Sequence, residues 1–222
     1  MSKVIVSPSL LSCDFLNIER EIKILNKIEN IWYHLDIMDG HFVPNLTFGH
    51  PIIAKIASIA KHPLDAHLMV TNPEFYFETL AKNKIHNLTF HYEACKNEQQ
   101  AKAMIEQAKK YYPSVGISIR PKTDLQTIPM AVLEKINLFL LMSVEPGFGG
   151  QSFLPEAFDK LKELNKIRQE RKLNFSIQID GGISEINAKQ LTALGVDNFV
   201  AGSFVFRVEN NNYQKKINQL RE

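Results

Sequence analysis

Two histidines and two aspartates carry the chemical content of this chain: His34, Asp36, His67 and Asp180. Each stands at or near the far end of a short run with strand character: Trp32-Tyr33-His34-Leu35-Asp36, Leu64-Asp65-Ala66-His67-Leu68 and Phe175-Ser176-Ile177-Gln178-Ile179-Asp180. Side chains alternate across a strand, so His34 and Asp36 share one face while Leu35 and Ile37 take the other. A lone histidine is usually structural. Two imidazoles and two carboxylates converging at strand ends would instead hold one divalent transition metal, because neutral nitrogen and charged oxygen both suit zinc and its neighbours. Zinc is the first expectation, with iron(II), cobalt(II) and manganese(II) as alternatives.

Three glycine clusters accompany this set: Pro146-Gly147-Phe148-Gly149-Gly150, Asp180-Gly181-Gly182 and Ala201-Gly202-Ser203. Glycine lets backbone approach an anion closely, and free N–H groups at a helix start donate to it. One cluster alone would be a tight turn. Three after consecutive strands read as a phosphate grip, and the absence of a P-loop pattern points to a monophosphate ester. Met38, Met69 and Met142 are candidates for an apolar lining that keeps water from a reactive intermediate, although methionine more often fills core gaps. Ser9 closes the first strand pattern and could donate to a substrate hydroxyl. His91 ends the fourth, either as a partner of the site or as a polar strand end. His41, His50, His62 and His86 read as surface histidines.

Positioning these groups requires a particular frame. Strand patterns occur at Lys3–Pro8, Ile31–Asp36, Leu64–Met69, Asn87–His91, Val115–Ile119, Leu138–Val144, Asn174–Asp180 and Asn198–Ala201. Amphipathic stretches lie between them: Ile18, Ile22, Leu25 and Ile28 fall at helical spacing, as do Phe75, Phe77, Leu80 and Ala81. Asn72-Pro73 and Ser184 offer helix starts. Eight such alternations within 222 residues predict an α/β chain folded as one (β/α)8 barrel of the phosphate-binding type, residues 1–222 forming a single domain. An open doubly wound sheet would carry a glycine fingerprint after its first strand, where this chain has Ser7-Pro8-Ser9-Leu10-Leu11-Ser12. Barrel active sites lie at the C-terminal ends of the strands, which places all four candidate ligands around one mouth.

Bulk properties narrow the function classes. The chain is 45% hydrophobic and 23% charged with a net charge of +2, and its basic residues are interspersed with acids, which disfavours nucleic acid or an anionic membrane as partner. Cys13 and Cys95 have neither metal-site spacing nor a disulfide framework around them. With no signal-peptide or membrane-spanning pattern, the expected location is the cytoplasm. Homo-oligomerisation is expected.

A free aspartate, with a pKa near ~3.9, is a weak base for a carbon acid. A metal near the substrate's carbonyl and hydroxyl oxygens would stabilise an enediolate. Asp36 and Asp180, on different strands, could then flank a flat enediolate, one removing a proton and the other returning one to the opposite face. That is epimerisation beside a carbonyl.

Several long motifs strengthen this reading. Ser7-Pro8-Ser9-Leu10-Leu11-Ser12-Cys13-Asp14-Phe15, His34-Leu35-Asp36-Ile37-Met38-Asp39-Gly40-His41-Phe42-Val43-Pro44-Asn45, His67-Leu68-Met69-Val70, Met142-Ser143-Val144-Glu145-Pro146-Gly147-Phe148-Gly149-Gly150-Gln151-Ser152-Phe153, Asp180-Gly181-Gly182-Ile183 and Ala201-Gly202-Ser203 resemble ribulose-phosphate 3-epimerases. The resemblance runs in order from Ser7 to Phe206. It implies interconversion of D-ribulose 5-phosphate and D-xylulose 5-phosphate in the pentose phosphate pathway, with a divalent metal on His34, Asp36, His67 and Asp180. It further implies Asp36 as proton acceptor and Asp180 as donor in one direction. Ser9 and His67 would touch substrate, and Gly147, Phe148, Gly149, Gly150, Gly181, Gly182, Gly202 and Ser203 would hold the phosphate. Cys13 and Arg120-Pro121-Lys122-Thr123 depart from the family's usual residues without touching a proposed role. The nearest alternative is a sister epimerase acting on allulose 6-phosphate, whose family tends to alter the Phe148-Gly149-Gly150 and Asp180-Gly181-Gly182-Ile183 segments. A metal-dependent hydrolase or aldolase, or a non-catalytic phosphosugar-binding barrel, is more remote.

Overall fold

The computed structural model describes residues 4–222, so Lys3 lies outside it. Eight strands form one sheet: β1 (Ile5–Pro8), β2 (Tyr33–Met38), β3 (Leu64–Met69), β4 (Ile85–His91), β5 (Ser114–Ile119), β6 (Leu138–Met142), β7 (Ser176–Asp180) and β8 (Asn198–Ala201). All pairings are parallel, in the order β1-β8-β7-β6-β5-β4-β3-β2. Isolated parallel bridges Val6↔Ile31 and Ser9↔His34 close β1 onto the β2 edge, completing a (β/α)8 barrel. The helices are α1 (Ile18–Leu25), α2 (His50–Ile59), α3 (Glu74–Ala81), α4 (Glu98–Ala108), α5 (Met130–Leu133), α6 (Ala157–Glu170), α7 (Glu185–Ala193), α8 (Ser203–Phe206) and α9 (Tyr213–Gln219). No helix among the described residues is long and apolar enough to cross a membrane.

Strand parity divides the molecule into two environments. Outward-facing Leu35, Ile37, Ala66, Leu68, Leu88, Phe90, Ile117, Phe139, Leu141, Ile177, Ile179 and Phe199 join helix residues such as Ile22, Leu25, Ile53, Phe77, Leu80, Ile105, Leu161 and Leu191 in one large apolar core. The opposite face of β6 and β8 supplies a second cluster of Leu138, Leu140, Met142, Val144 and Val200. Buried polar residues interleave with it, among them Ser7, His34, Asp65, His67, Asn87, Thr89, Gln178 and Asn198. They are cross-linked: Ser7 Oγ donates to Asn198 Oδ1 at 2.8 Å, and Asp65 accepts from Asn87 Nδ2 at 2.7 Å and Gln178 Nε2 at 2.7 Å. Buried polar groups persist where they are satisfied in this way.

Local expectations are adjusted in a few places. Strand β2 runs Tyr33–Met38 where Ile31–Asp36 is expected, because Ile31 and Trp32 are spent on bridging β1. β4 begins earlier, at Ile85, and β7 later, at Ser176. Phe75 sits on the helical apolar spacing yet is 70% exposed, since α3 turns Phe77 and Leu80 into the core with Tyr76 and Ala81 packed at its margin. That helix starts at Glu74, with no side-chain cap at Pro73. Ser184 caps α7 as expected, and Asn187 Oδ1 accepts from Ser184 N at 2.9 Å to complete a capping box. His41 is exposed, and His50, His62 and His86 are half-buried, each packing at the surface beside an aromatic ring, Tyr76, Tyr33 and Trp32 respectively.

Candidate active site

His34 and His67 lie completely buried inside the barrel, and Asp36 and Asp180 rise above them into a cavity at the C-terminal mouth. The His34 Nε2, Asp36 Oδ1, His67 Nδ1 and Asp180 Oδ2 atoms are mutually close: 3.4 Å from His34 to Asp36, 3.4 Å from His67 to Asp36, 3.8 Å from His34 to Asp180 and 3.9 Å from His67 to Asp180. One ligand atom from each residue lies within 4.8 Å of all the others. A tetrahedron with ligand bonds near 2.05 Å has edges of about 3.4 Å, so the cluster is sized for one small cation. His34 Nε2 and His67 Nδ1 have no hydrogen-bond partner although both are buried. An orphaned buried imidazole nitrogen is costly, and a cation between the four atoms would resolve both orphans together.

The far sides of both rings are engaged. His34 Nδ1 meets Asp65 Oδ2 at 2.8 Å; a carboxylate only accepts, so Nδ1 carries a proton and Nε2 is the nitrogen that would give its lone pair to a cation in the cluster. His67 Nε2 faces His91 Nε2 at 2.9 Å. Asp36 is oriented by Ser9, whose Oγ donates to Oδ2 at 2.6 Å. Ser9 therefore lines the mouth as expected, but its hydroxyl proton is given to Asp36. Ser143 steadies the end of β7: its N and Oγ donate to the Asp180 carbonyl, both at 2.8 Å, and Oγ also to the Gly181 carbonyl at 2.7 Å.

Charge follows this geometry. Burial would raise Asp36, but the His34 charge beside it holds its carboxyl well below the usual range. Burial, then the Asp36 charge, pushes Asp180 up to about 7. His34 is raised by Asp36 and Asp65 against the effect of burial, whereas burial pushes His67 down to about 4. Without a cation, two carboxylates this close share charge unequally; a divalent ion would let both ionise.

The residues expected at the substrate line the cavity, except His67, which is fully buried beneath it. Ser9, Met38, Met69, Met142, Gly147, Phe148, Gly149, Gly150, Gly181, Gly182, Gly202 and Ser203 line it with Asp36 and Asp180. Met38 and Met69 pack with Val43, Leu11 and Phe42 at one side of the mouth; Met142 belongs to the apolar cluster opposite. The 145–151 loop is tied down by Gln151 Nε2, donating to the carbonyls of Glu145 at 2.7 Å and Phe148 at 2.9 Å, and by Asn45 Nδ2, donating to Gly147 O at 2.7 Å. Two glycines stand where a side chain would collide, Gly182 against backbone and Gly202 against a serine hydroxyl. Gly182 has φ +61°, and a Cβ there would lie 2.3 Å from the Phe153 nitrogen. A Cβ on Gly202 would lie 2.4 Å from Ser12 Oγ.

Sequence reasoning missed three contributors. Ser12 lines the cavity and lies 3.2 Å from where a Gly149 Cβ would be, so it bridges two glycine clusters. Asp65 orients His34, and its parity with His67 on β3 was the available signal. Glu93, two residues beyond the strand-ending His91, faces His91 Nδ1 at 3.3 Å and carried no sequence signal beyond that spacing.

A two-histidine, two-aspartate cluster under a glycine-rich mouth makes this a (β/α)8 barrel with a candidate metal centre. The Ribulose-phosphate 3 epimerase family model matches residues 5–206, and the chain belongs to that family. Ribulose-phosphate 3-epimerase of Mycobacterium tuberculosis is 39% identical over 202 residues, covering 91% of this chain and 86% of its own. The cytoplasmic isoform from Oryza sativa is 40% identical over 203 residues, covering 90% and 86%. Among solved structures, a mutant tryptophan synthase alpha-subunit from Pyrococcus furiosus superposes with a TM-score of 0.64 over 99% of both chains at 14% identity, a likeness of fold alone.

Proposed function

We propose that this protein is a metal-dependent isomerase that epimerises D-ribulose 5-phosphate and D-xylulose 5-phosphate at C3, with His34, Asp36, His67 and Asp180 holding one divalent cation, zinc first. Family membership supports the substrate class, and one observation carries the mechanism: two carboxylates from β2 and β7 enter the same cavity beside two buried imidazole nitrogens that lack partners. A bound cation would supply Lewis-acid stabilisation of negative charge developing on the substrate oxygens. Asp36 takes the C3 proton of one epimer, held in place by Ser9. Asp180 delivers a proton to the opposite face, and the roles reverse in the other direction. Met38, Met69 and Met142 keep bulk water from the planar enediolate. Ser12 and the glycine clusters hold the phosphate by backbone and hydroxyl donors, and that remote binding aligns C3 between the carboxylates.

Deuterium incorporation tests this directly. Turnover of D-ribulose 5-phosphate in deuterium oxide yields D-xylulose 5-phosphate carrying deuterium at C3, and Asp36→Asn or Asp180→Asn, with metal content measured in each, abolishes inversion. Product without solvent deuterium at C3 would overturn the two-base assignment. Running allulose 6-phosphate alongside distinguishes the sister reaction. Homo-oligomerisation belongs to the same reading, supported by the exposed Phe15, Leu16, Leu46 and Phe75 side chains, and cytoplasmic location by the naming of the rice relative.

A further inference from the structure

We infer that Glu93 sets the tautomer of His67 through His91, so that His67 presents a lone pair at Nδ1 to the carboxylate cluster. The inference deepens the metal reading above and assigns Glu93 and His91 as positioning residues. Three observations carry it. First, His67 Nε2 and His91 Nε2 face each other at 2.9 Å, both rings completely buried, so one nitrogen must donate and the other accept. Second, His91 Nδ1 faces Glu93 Oε2 at 3.3 Å. A carboxylate accepts only, so Nδ1 of His91 carries the hydrogen. A second hydrogen on His91 would place a buried cation against the ring that serves the cation site, so its Nε2 is the acceptor. His67 Nε2 then donates, and the His67 Nδ1 lone pair is left facing Asp36 and Asp180.

Third, the Glu93 carboxylate is itself fixed from outside the barrel. Its Oε1 accepts from the Arg120 backbone N–H at 2.7 Å and from the Thr123 hydroxyl. Arg120 also donates from Nη2 to Phe42 O at 2.8 Å and lies 4.5 Å over the Phe42 ring, which in turn packs 4.9 Å from His91. The loops after β2, β4 and β5 thus enclose one chain of hydrogen bonds ending at His67.

The arrangement makes Glu93→Gln an informative change, because the backbone N–H of Arg120 cannot be reversed. Facing that donor, the amide must turn its oxygen toward Arg120 and its NH2 toward His91. The NH2 donates to His91 Nδ1, His91 then carries its hydrogen on Nε2, and His67 is left with its hydrogen on Nδ1, aimed into the cluster. One atom is exchanged for a near-isostere and two imidazoles invert.

The test is nitrogen-15 NMR of histidine-labelled, metal-stripped full-length protein at neutral pH, paired with zinc and cobalt titrations. Wild type is expected to show His67 protonated at Nε2 and His91 at Nδ1. Glu93→Gln is expected to show both inverted, with cation affinity reduced about 10- to 100-fold. A merely structural Glu93 would shift the unfolding midpoint and leave both tautomers as in wild type. Wild-type His67 protonated at Nδ1 overturns the inference, as does a folded Glu93→Gln with unchanged tautomers or affinity. If Glu93→Gln does not fold, the wild-type spectrum decides alone. Expected wild-type tautomers in a protein that binds neither cation would uphold the hydrogen-bond chain and refute the metal reading.

Discussion

Asp65 is the most consequential residue that does not touch the cavity. It is completely buried in β3 and accepts three hydrogen bonds, from His34 Nδ1 at 2.8 Å, Asn87 Nδ2 at 2.7 Å and Gln178 Nε2 at 2.7 Å. Burial would raise its carboxyl, but the His34 charge, and then those donors, hold it below the usual range. Asp65→Ala removes all three acceptances. Asn87 keeps its bond to Thr89 Oγ1 at 3.0 Å, so two donors, on His34 and Gln178, are left without partners. At ~1–3 kcal/mol for each buried donor, plus a lost charge partner, the expected destabilisation is about 3–5 kcal/mol. Asp65→Asn keeps one oxygen for His34 and Gln178 but turns an NH2 toward Asn87 Nδ2, losing one bond, and should cost about 1–3 kcal/mol. The His34 ring is freed only in Asp65→Ala, so cation affinity should fall about 10- to 100-fold there and much less in Asp65→Asn. Urea unfolding of chelated protein, followed in parallel by circular dichroism and Trp32 fluorescence, measures the first effect; cobalt titration measures the second. An Asp65→Ala protein within about 0.5 kcal/mol of wild type, or one that binds cobalt equally well, would refute the idea that this buried carboxylate orients the site.

Other changes probe the mouth and its loops. Gly202→Ala brings a Cβ to 2.4 Å from Ser12 Oγ, so KM for the phosphate ester should rise about tenfold in steady-state kinetics, equivalent to ~1.4 kcal/mol of lost binding. Gly182→Ala combines positive φ with a backbone overlap against Phe153 that no rotamer relieves; a loss above ~2 kcal/mol in urea unfolding is expected. Asp39 accepts from the N–H groups of His41, Phe42 and Thr71, each at 2.8 Å, and from Thr71 Oγ1 at 2.7 Å, tying the β2 loop to β3. Burial opposes but those donors bring its carboxyl down to about 2, so the tie is fully present above the unfolded value near ~4 and is lost as pH falls toward 2. Asp39→Asn should therefore flatten the acid limb of stability by about 1 kcal/mol between those values, with Thr71 amide exchange reporting the same window.

How much of this was legible in the sequence varies with the kind of information required. Alternation alone placed His34 and Asp36 on one face and Leu35 and Ile37 on the other, because the period of a strand is an intrinsic property of its backbone. The same parity put Met142 with Leu140 and Leu138. Register is different. Asp65 pairs with His34 across β2 and β3, and nothing in either segment alone states that offset. Ser9 illustrates the point: it was legible as a mouth residue, but its bond to Asp36 depends on the bridge that sets Ser9 against His34. Phe75 failed for the opposite reason, since helical spacing identifies a stripe without saying where the sheet ends beneath it.

The division of labour between the two faces of the sheet explains why such a polar site is tolerable. A barrel of this kind has an interior that ordinarily packs branched apolar side chains in layers. Here β6 and β8 keep to that pattern through Leu138, Leu140 and Val200, while β2, β3, β4 and β7 turn histidines, carboxylates and amides inward. Those inward groups exchange water for hydrogen bonds at a net gain of about 1 kcal/mol each, so they add little stability. The large apolar core between strands and helices must supply it instead, at roughly 25 cal/mol per Å² buried. The interior is thereby released from holding the fold and serves to fix geometry. Asp65 directs one histidine and Glu93, through His91, directs the other, while Ser9 directs Asp36. Asp180 alone has no side-chain partner of this sort; its carbonyl, not its carboxylate, is what Ser143 holds. A carboxylate restrained at its backbone, with no side-chain donor on its oxygens, keeps more freedom than Asp36, which would suit the role proposed for it as the acid on the opposite face.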